Sequence, residues 1–155
     1  MSIEAVKAYF RPLGREQDIQ EFPVSSATVE LAAQALSTEP ARIAKTLSFQ
    51  DGEGCLLVVT AGDTKIDNQK FKACFGFKAK MLTPDQALAM TGHAVGGVCP
   101  FALPAGVRVI LDQSMRRFPT VFPACGSSNS AIELTCEELE RYSGGTWADV
   151  CKPRE

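Results

Sequence analysis

The tetrapeptide Asp51-Gly52-Glu53-Gly54 sits between two strand-forming stretches, Thr46–Phe49 and the apolar run Cys55–Ala61. Turn residues at that spacing predict an antiparallel hairpin, and the longer apolar run is read as the centre of a sheet. Such a hairpin needs covering, and the sequence supplies helices for it. Ile3, Val6 and Phe10 recur at helical spacing behind Ser2 as N-cap, with Pro12 and Gly14 ending the segment. Val29, Ala32, Ala33 and Leu36 repeat the pattern after Ser25 and Ser26, which are read as its cap, and Pro40 opens a short helical turn. Asp67 and Asn68 precede a helix through Phe71, Cys74 and Phe75 that Gly76 closes. Thr83-Pro84-Asp85-Gln86 and Thr135-Cys136-Glu137-Glu138 are capping boxes for two more, the first stopping at Gly92.

Extended pieces are expected at Ile19–Val24, Phe77–Leu82, Val107–Leu111, Phe118–Phe122 and Ala131–Leu134. With 155 residues, 45% apolar and 22% charged, the composition is that of an ordinary globular domain. The expectation is one α/β (α+β) domain over residues 1–155, a mixed and largely antiparallel sheet surrounded by helices.

Several chemistries are disfavoured. The six cysteines are never closer than 11 residues apart and the only histidine is His93, so no zinc-binding pairs arise; no metal and no cofactor are expected. No apolar run reaches the roughly 18 residues needed to span a bilayer, so no membrane association is expected. Met1–Phe10 lacks the basic start and apolar core of a signal peptide, which points to a cytoplasmic protein with reduced thiols. G-x-S-x-G, a Walker loop and a strand-linked G-x-G-x-x-G are absent. The formal charge of −2 excludes a whole-surface positive field, yet Lys65–Lys80 holds five lysines against one acid, and Glu133–Glu155 six acids against three bases. Phe71, Phe75 and Phe77, inside the lysine-rich stretch, fit core packing better than base stacking.

What remains is a small set of candidates. Gly92-His93-Ala94-Val95-Gly96-Gly97-Val98-Cys99-Pro100 is apolar but broken by glycines and a proline, so it reads as a shaped loop. Its glycines allow backbone N–H groups to approach a carbonyl or developing oxyanion; a tight bend is the alternative. His93 is either a general base or a charge at a helix end. Cys99 is either a nucleophile without an adjacent base or a small core residue. Lys45, at the start of a strand, either snorkels to water or serves a site.

Five blocks in order carry a family resemblance: Ser25-Ser26-Ala27-Thr28-Val29-Glu30, Arg42-Ile43-Ala44-Lys45-Thr46-Leu47, Lys65-Ile66-Asp67, Gly92 through Pro100, and Cys125-Gly126-Ser127-Ser128-Asn129-Ser130-Ala131-Ile132-Glu133-Leu134. Over nearly the whole chain they resemble the YbaK/EbsC family, the superfamily of the editing domain inserted in bacterial prolyl-tRNA synthetase. The resemblance implies a free-standing aminoacyl-tRNA deacylase that hydrolyses the ester of mischarged tRNA. It implies catalytic roles for Lys45 and for the Gly96, Gly97 and Pro100 loop, the loop backbone holding the aminoacyl carbonyl and Lys45 the terminal phosphate or ribose. Thr46, His93, Val98, Cys99, Gly126, Ser127 and Ser128 are the implied substrate-binding residues. The implied partner is the 3′ end of mischarged tRNA; whether an aminoacyl-tRNA synthetase also takes part stays open. Ala131 departs from the Cys-tRNA deacylase branch, which carries Asp there, so cysteine specificity does not carry over. Two other classes stand beside this one: a non-catalytic binding or regulatory module of the same fold, and a thiol enzyme using Cys99 or Cys125.

Overall fold

The computed structural model describes residues 2–154. In chain order its elements are α1 (Ser2–Phe10), β1 (Gln20–Glu21), α2 (Val29–Leu36), β2 (Ile43–Asp51), β3 (Gly54–Ala61), β4 (Thr64–Ile66) and α3 (Asn68–Phe75), followed by α4 (Pro84–Thr91), β5 (Arg108–Asp112), β6 (Phe122–Pro123), β7 (Ser130–Ala131), α5 (Cys136–Ser143), β8 (Thr146–Ala148) and β9 (Cys151–Pro153). The predicted hairpin is the frame: β2 and β3 pair antiparallel over eight residue pairs, Ala44 opposite Ala61 through Asp51 opposite Gly54. Gly52 takes the positive φ (61°) that this two-residue turn needs at its first central position. β3 is central in a five-stranded sheet of order β6-β2-β3-β5-β8, to which β5, β6 and β8 add in parallel. Two antiparallel ribbons, β1 with β7 and β4 with β9, flank it.

Alternation along β3 sorts the core. Val59 and Ala61 pack with Val6, Phe10, Leu111 and Leu139 from α1, β5 and α5, while Leu56 and Val58 pack with Phe49, Phe71 and Ile110 against α3. Cys55 and Leu57 meet Leu82 and Ala87 of the α4 region. Every side chain from Cys55 to Ala61 is at most 2% exposed, as a strand covered on both faces requires.

Both capping boxes form, and Gly76, Gly92 and Gly144 close their helices in the left-handed conformation. Other expectations are corrected. Thr28, not Ser25 or Ser26, caps α2; Ser26 donates both its backbone N–H and its hydroxyl to the Ser128 carbonyl (2.6 and 3.3 Å), so the serines tie this segment to the Cys125–Ser130 turn. Ser2 lies inside α1, its hydroxyl donating to the Gly126 carbonyl. Phe77–Leu82 is not a ladder strand but a strap held to β2 by one bridge, Phe49 to Met81, and two backbone hydrogen bonds. Phe118–Phe122 shortens to β6 with a bridge from Val121 to Leu134, because Pro119 and Pro123 have no N–H to donate. Of Ala131–Leu134 only Ala131 lies in a strand, as the second residue of β7. Strands β4, β8 and β9 were not expected from local pattern.

Candidate active site

The outer edge of β2 has an opening. At its start Ile43 and Ala44 pair with β6, and towards its end Leu82 N–H donates to the Ser48 carbonyl (3.0 Å) and Gln50 N–H to the Lys80 carbonyl (2.8 Å). Backbone groups alternate in direction along a strand, so the outward groups of Ala44, Ser48 and Gln50 place those of Thr46 outward as well. Strand pairing stops at Ala44, which leaves the Thr46 backbone edge facing the gap without a strand partner.

That gap opens onto a cavity of about 510 Å³. Its wall combines the edge of β2 (Ile43–Ser48), the Ser26–Val29 segment with Ala32 of α2, and the strap with Pro84 and Ala87 of α4. Val95, Gly96 and Val98 of the glycine loop, then Phe122, Ala124, Ser130 and Ala131, complete it. The lining is mainly apolar, and Lys45 is its one charged residue. Met81 and Val95, 57% and 64% exposed, form an apolar rim.

The glycine loop is held against two other segments. A Cβ on Gly97 would lie 2.7 Å from Gly126 C and from Ser127 N, so only glycine permits this approach. Gly96 adopts φ of 93°, and a Cβ there would meet Ala27 Cβ at 3.3 Å and Ser128 Cβ at 3.5 Å. Gly97 N–H already donates to the Ala94 carbonyl (3.0 Å), so the loop backbone that borders the cavity is that of Gly96 and Val98. Ser127 Oγ donates to Asn129 Oδ1 (2.9 Å) and lies 2.7 Å from the Ser130 hydroxyl, while Asn129 Nδ2 donates to the Phe22 carbonyl (2.9 Å), a network that fixes the turn.

The candidates of the sequence therefore separate. Lys45, Thr46, Gly96 and Val98 border the cavity. Gly97, Gly126 and Ser127 lie behind the wall as its packing, Ser128 is exposed beside Gly96, and Pro100 is buried in the loop. His93, 1% exposed, does not line the cavity; its Nε2 meets the Phe101 carbonyl at 2.8 Å and its Nδ1 has no partner. Burial lowers its pKa, and the single close acceptor assigns it the neutral form with the proton on Nε2. Cys99 is fully buried beside it, Sγ 3.5 Å from Nε2, and burial pushes its thiol up to about 12. Cys125 is buried too and likewise raised. Neither thiol is placed or ionised as a nucleophile would be.

Thr46 and Lys45 are adjacent but face opposite ways. Thr46 shares a sheet face with Val59, and its buried Oγ1 has no hydrogen-bond partner. Lys45 shares the other face with Thr60, and its ammonium donates to the Thr64 carbonyl at the start of β4. Burial, then the charge of Arg154, lowers the Lys45 pKa. Sequence reasoning did not single out the strap residues Met81 and Leu82, nor Ala32, Ala87 and Ala124; the Ser25–Glu30 block was the one local signal for the α2 side of the wall.

A sequence profile of the aminoacyl-tRNA editing domain matches residues 24–142, which include every wall segment of the cavity. The chain belongs to the aminoacyl-tRNA editing domain family. It is 54% identical to the uncharacterized protein YwhH of Bacillus subtilis over the full length of both chains. The proline–tRNA ligase of Thermotoga maritima is 27% identical over 144 residues, covering 92% of this chain but 24% of the ligase, so the chain spans about a quarter of that relative. Among solved structures, one described as a candidate trans-editing enzyme for prolyl tRNA synthetase superposes with a TM-score of 0.88, at 28% identity over 97% of each chain. A hypothetical protein superposes with a TM-score of 0.84, at 27% identity over 96% of this chain and 99% of its own. No helix among the described residues of this editing domain is long and apolar enough to cross a membrane.

Proposed function

We propose that this protein is a trans-acting aminoacyl-tRNA deacylase whose cavity at the β2 edge takes the aminoacyl group of a mischarged tRNA. The observation that carries the reading is the opening itself: unpaired backbone at Thr46, a buried hydroxyl without a partner, and the Gly96 backbone converge on one mainly apolar chamber. An aminoacyl ester is already activated, so positioning and stabilisation of charge on its carbonyl oxygen suffice, and no strong base is required. The side chain of the amino acid enters the apolar wall, and its carbonyl lies against the Gly96–Val98 backbone. Water adds to the carbonyl carbon, the bond to the ribose oxygen breaks, and that oxygen leaves with the proton the water gives up. Free amino acid and tRNA with an intact terminal ribose result. Lys45 anchors the terminal phosphate or ribose, its ammonium exchanging the Thr64 carbonyl for the nucleic acid.

The test is a panel of mischarged tRNAs followed by acid-precipitable label, with Lys45→Ala in parallel. Release of amino acid from at least one pair, strongly reduced by the substitution, is expected. Saturable binding with no turnover on any pair would instead make the domain a binding module.

A further inference from the structure

A second depression, of about 470 Å³, lies between the β4/β9 ribbon and the 3₁₀ turn Gln113–Arg117. Its acids are all engaged. Asp63 pairs with Arg117 (2.6 Å) and Asp149 with Lys70 (3.0 Å). Asp112, 1% exposed, accepts from the N–H groups of Ser114 (3.0 Å) and Val150 (2.9 Å). Its bases are not. Among the described residues neither Arg116 nor Lys152 has a carboxylate partner, and Arg116 lies over the Trp147 ring, 3.9 Å from its centroid. Lys152 is also directly opposite Lys65 in the antiparallel ribbon, both exposed. Like charges in that position destabilise a ribbon unless an anion lies between or over them.

The ribbon is joined to the cavity by one residue: Lys45, which borders the cavity, donates to the carbonyl of Thr64, the neighbour of Lys65. We propose that this groove, with Arg116 and Lys152 in its wall and Lys65 beside Lys152 on the ribbon at its border as phosphate contacts, is where the tRNA body of the substrate docks when its 3′ end occupies the cavity. The proposal rests on the deacylase reading for its occupant. The continuity through Lys45 and the stacked Arg116–Trp147 pair favour a nucleic acid strand over an acidic polypeptide, since an arginine stack extends readily onto a base. It also relocates the basic character of Lys65–Lys80: Lys70 is neutralised within the protein, whereas Lys65 acts with Lys152, far away in sequence.

The experiment is fluorescence anisotropy of uncharged tRNA with the full chain, comparing Lys65→Glu/Lys152→Glu with Lys72→Glu/Lys78→Glu, which changes net charge equally. The groove variant is expected to bind on the order of tenfold more weakly, with a log–log salt slope flatter by about 2 between about 50 and 200 mM salt, and the control to change little. Equal losses in both variants would overturn the groove. So would competition by polyglutamate as effective as by single-stranded RNA, which would reassign it to an acidic polypeptide. Lys65→Glu alone places opposite charges across the ribbon, so its melting temperature should match or exceed the parent's while tRNA affinity falls; affinity that tracks stability instead would make the pair merely structural. Hydrolysis of a small aminoacyl-adenosine ester, which has no tRNA body, should be unchanged in the groove variant. A parent protein that hydrolyses no ester but binds tRNA through the groove would overturn the deacylase reading and uphold the groove.

Discussion

The cavity at the β2 edge and the groove beside β9 are of similar size, about 510 and 470 Å³, and opposite in chemistry. The first is walled by aliphatic side chains and exposed backbone, with one lysine at its border; the second is rimmed by charges, most of them already paired. An apolar wall discriminates by shape, which acts within a few ångströms, whereas paired and unpaired charges act over a Debye length, about 8 Å at physiological salt. The two are therefore suited to two parts of one substrate, a small side chain and a polyanionic body. Lys45, which borders the cavity and donates to the Thr64 carbonyl of the groove's ribbon, links the two.

Removing Lys45 gives the largest expected effect. Lys45→Ala should lower kcat/KM on a mischarged tRNA by about 10- to 100-fold, the scale of a lost hydrogen bond to a charged group, and a smaller loss on an aminoacyl-adenosine ester, which keeps the ribose and lacks the phosphate, assigns the contact to the phosphate. Equal losses on both substrates would move Lys45 wholly into the cavity. Narrowing the apolar wall comes next: Ala131→Leu should discriminate against larger aminoacyl groups by about tenfold relative to alanyl, in steady-state deacylation of paired substrates. Gly97→Ala tests how the wall is held. Its new methyl must push apart the loop and the Gly126–Ser127 backbone, lowering stability by about 1–3 kcal/mol in denaturant melts, with deacylation falling in step.

A pH series separates His93 from the carboxylates. His93 is buried neutral with a lowered pKa, so the unfolded chain takes up a proton near the ordinary value of about 6.5 that the folded chain does not. Its contribution is complete above that pH and is lost as pH falls towards the folded-state value. His93→Gln should flatten thermal stability between about pH 7 and 5. The fall below about pH 4.5 should persist. Asp63, held low by Arg117, and Asp67, held low by the Lys70 N–H, contribute there. The smallest effect belongs to the thiols: Cys99→Ala/Cys125→Ala should keep turnover within about twofold, since neither thiol ionises near neutral pH. A large loss would restore the thiol-enzyme reading.

Sequence alone determined the features whose causes are local. The hairpin, the two capping boxes and the glycine C-caps depend on residues within a few positions of one another, and the structure has them where the pattern places them. The glycine loop was legible too, because no strand interior tolerates Gly96, Gly97 and Pro100 together. What tertiary structure decided is where a strand edge stays open and which charges meet. Whether the Thr46 backbone has a partner depends on how far β6 and the 80–82 strap extend along β2, and both arrive from distant parts of the chain. His93 and Cys99 have reactive chemistry in the sequence, yet packing buries both, and burial disfavours the charged form each would need. Lys65 and Lys152 belong to segments of opposite net charge in the sequence; only the β4/β9 register sets them face to face.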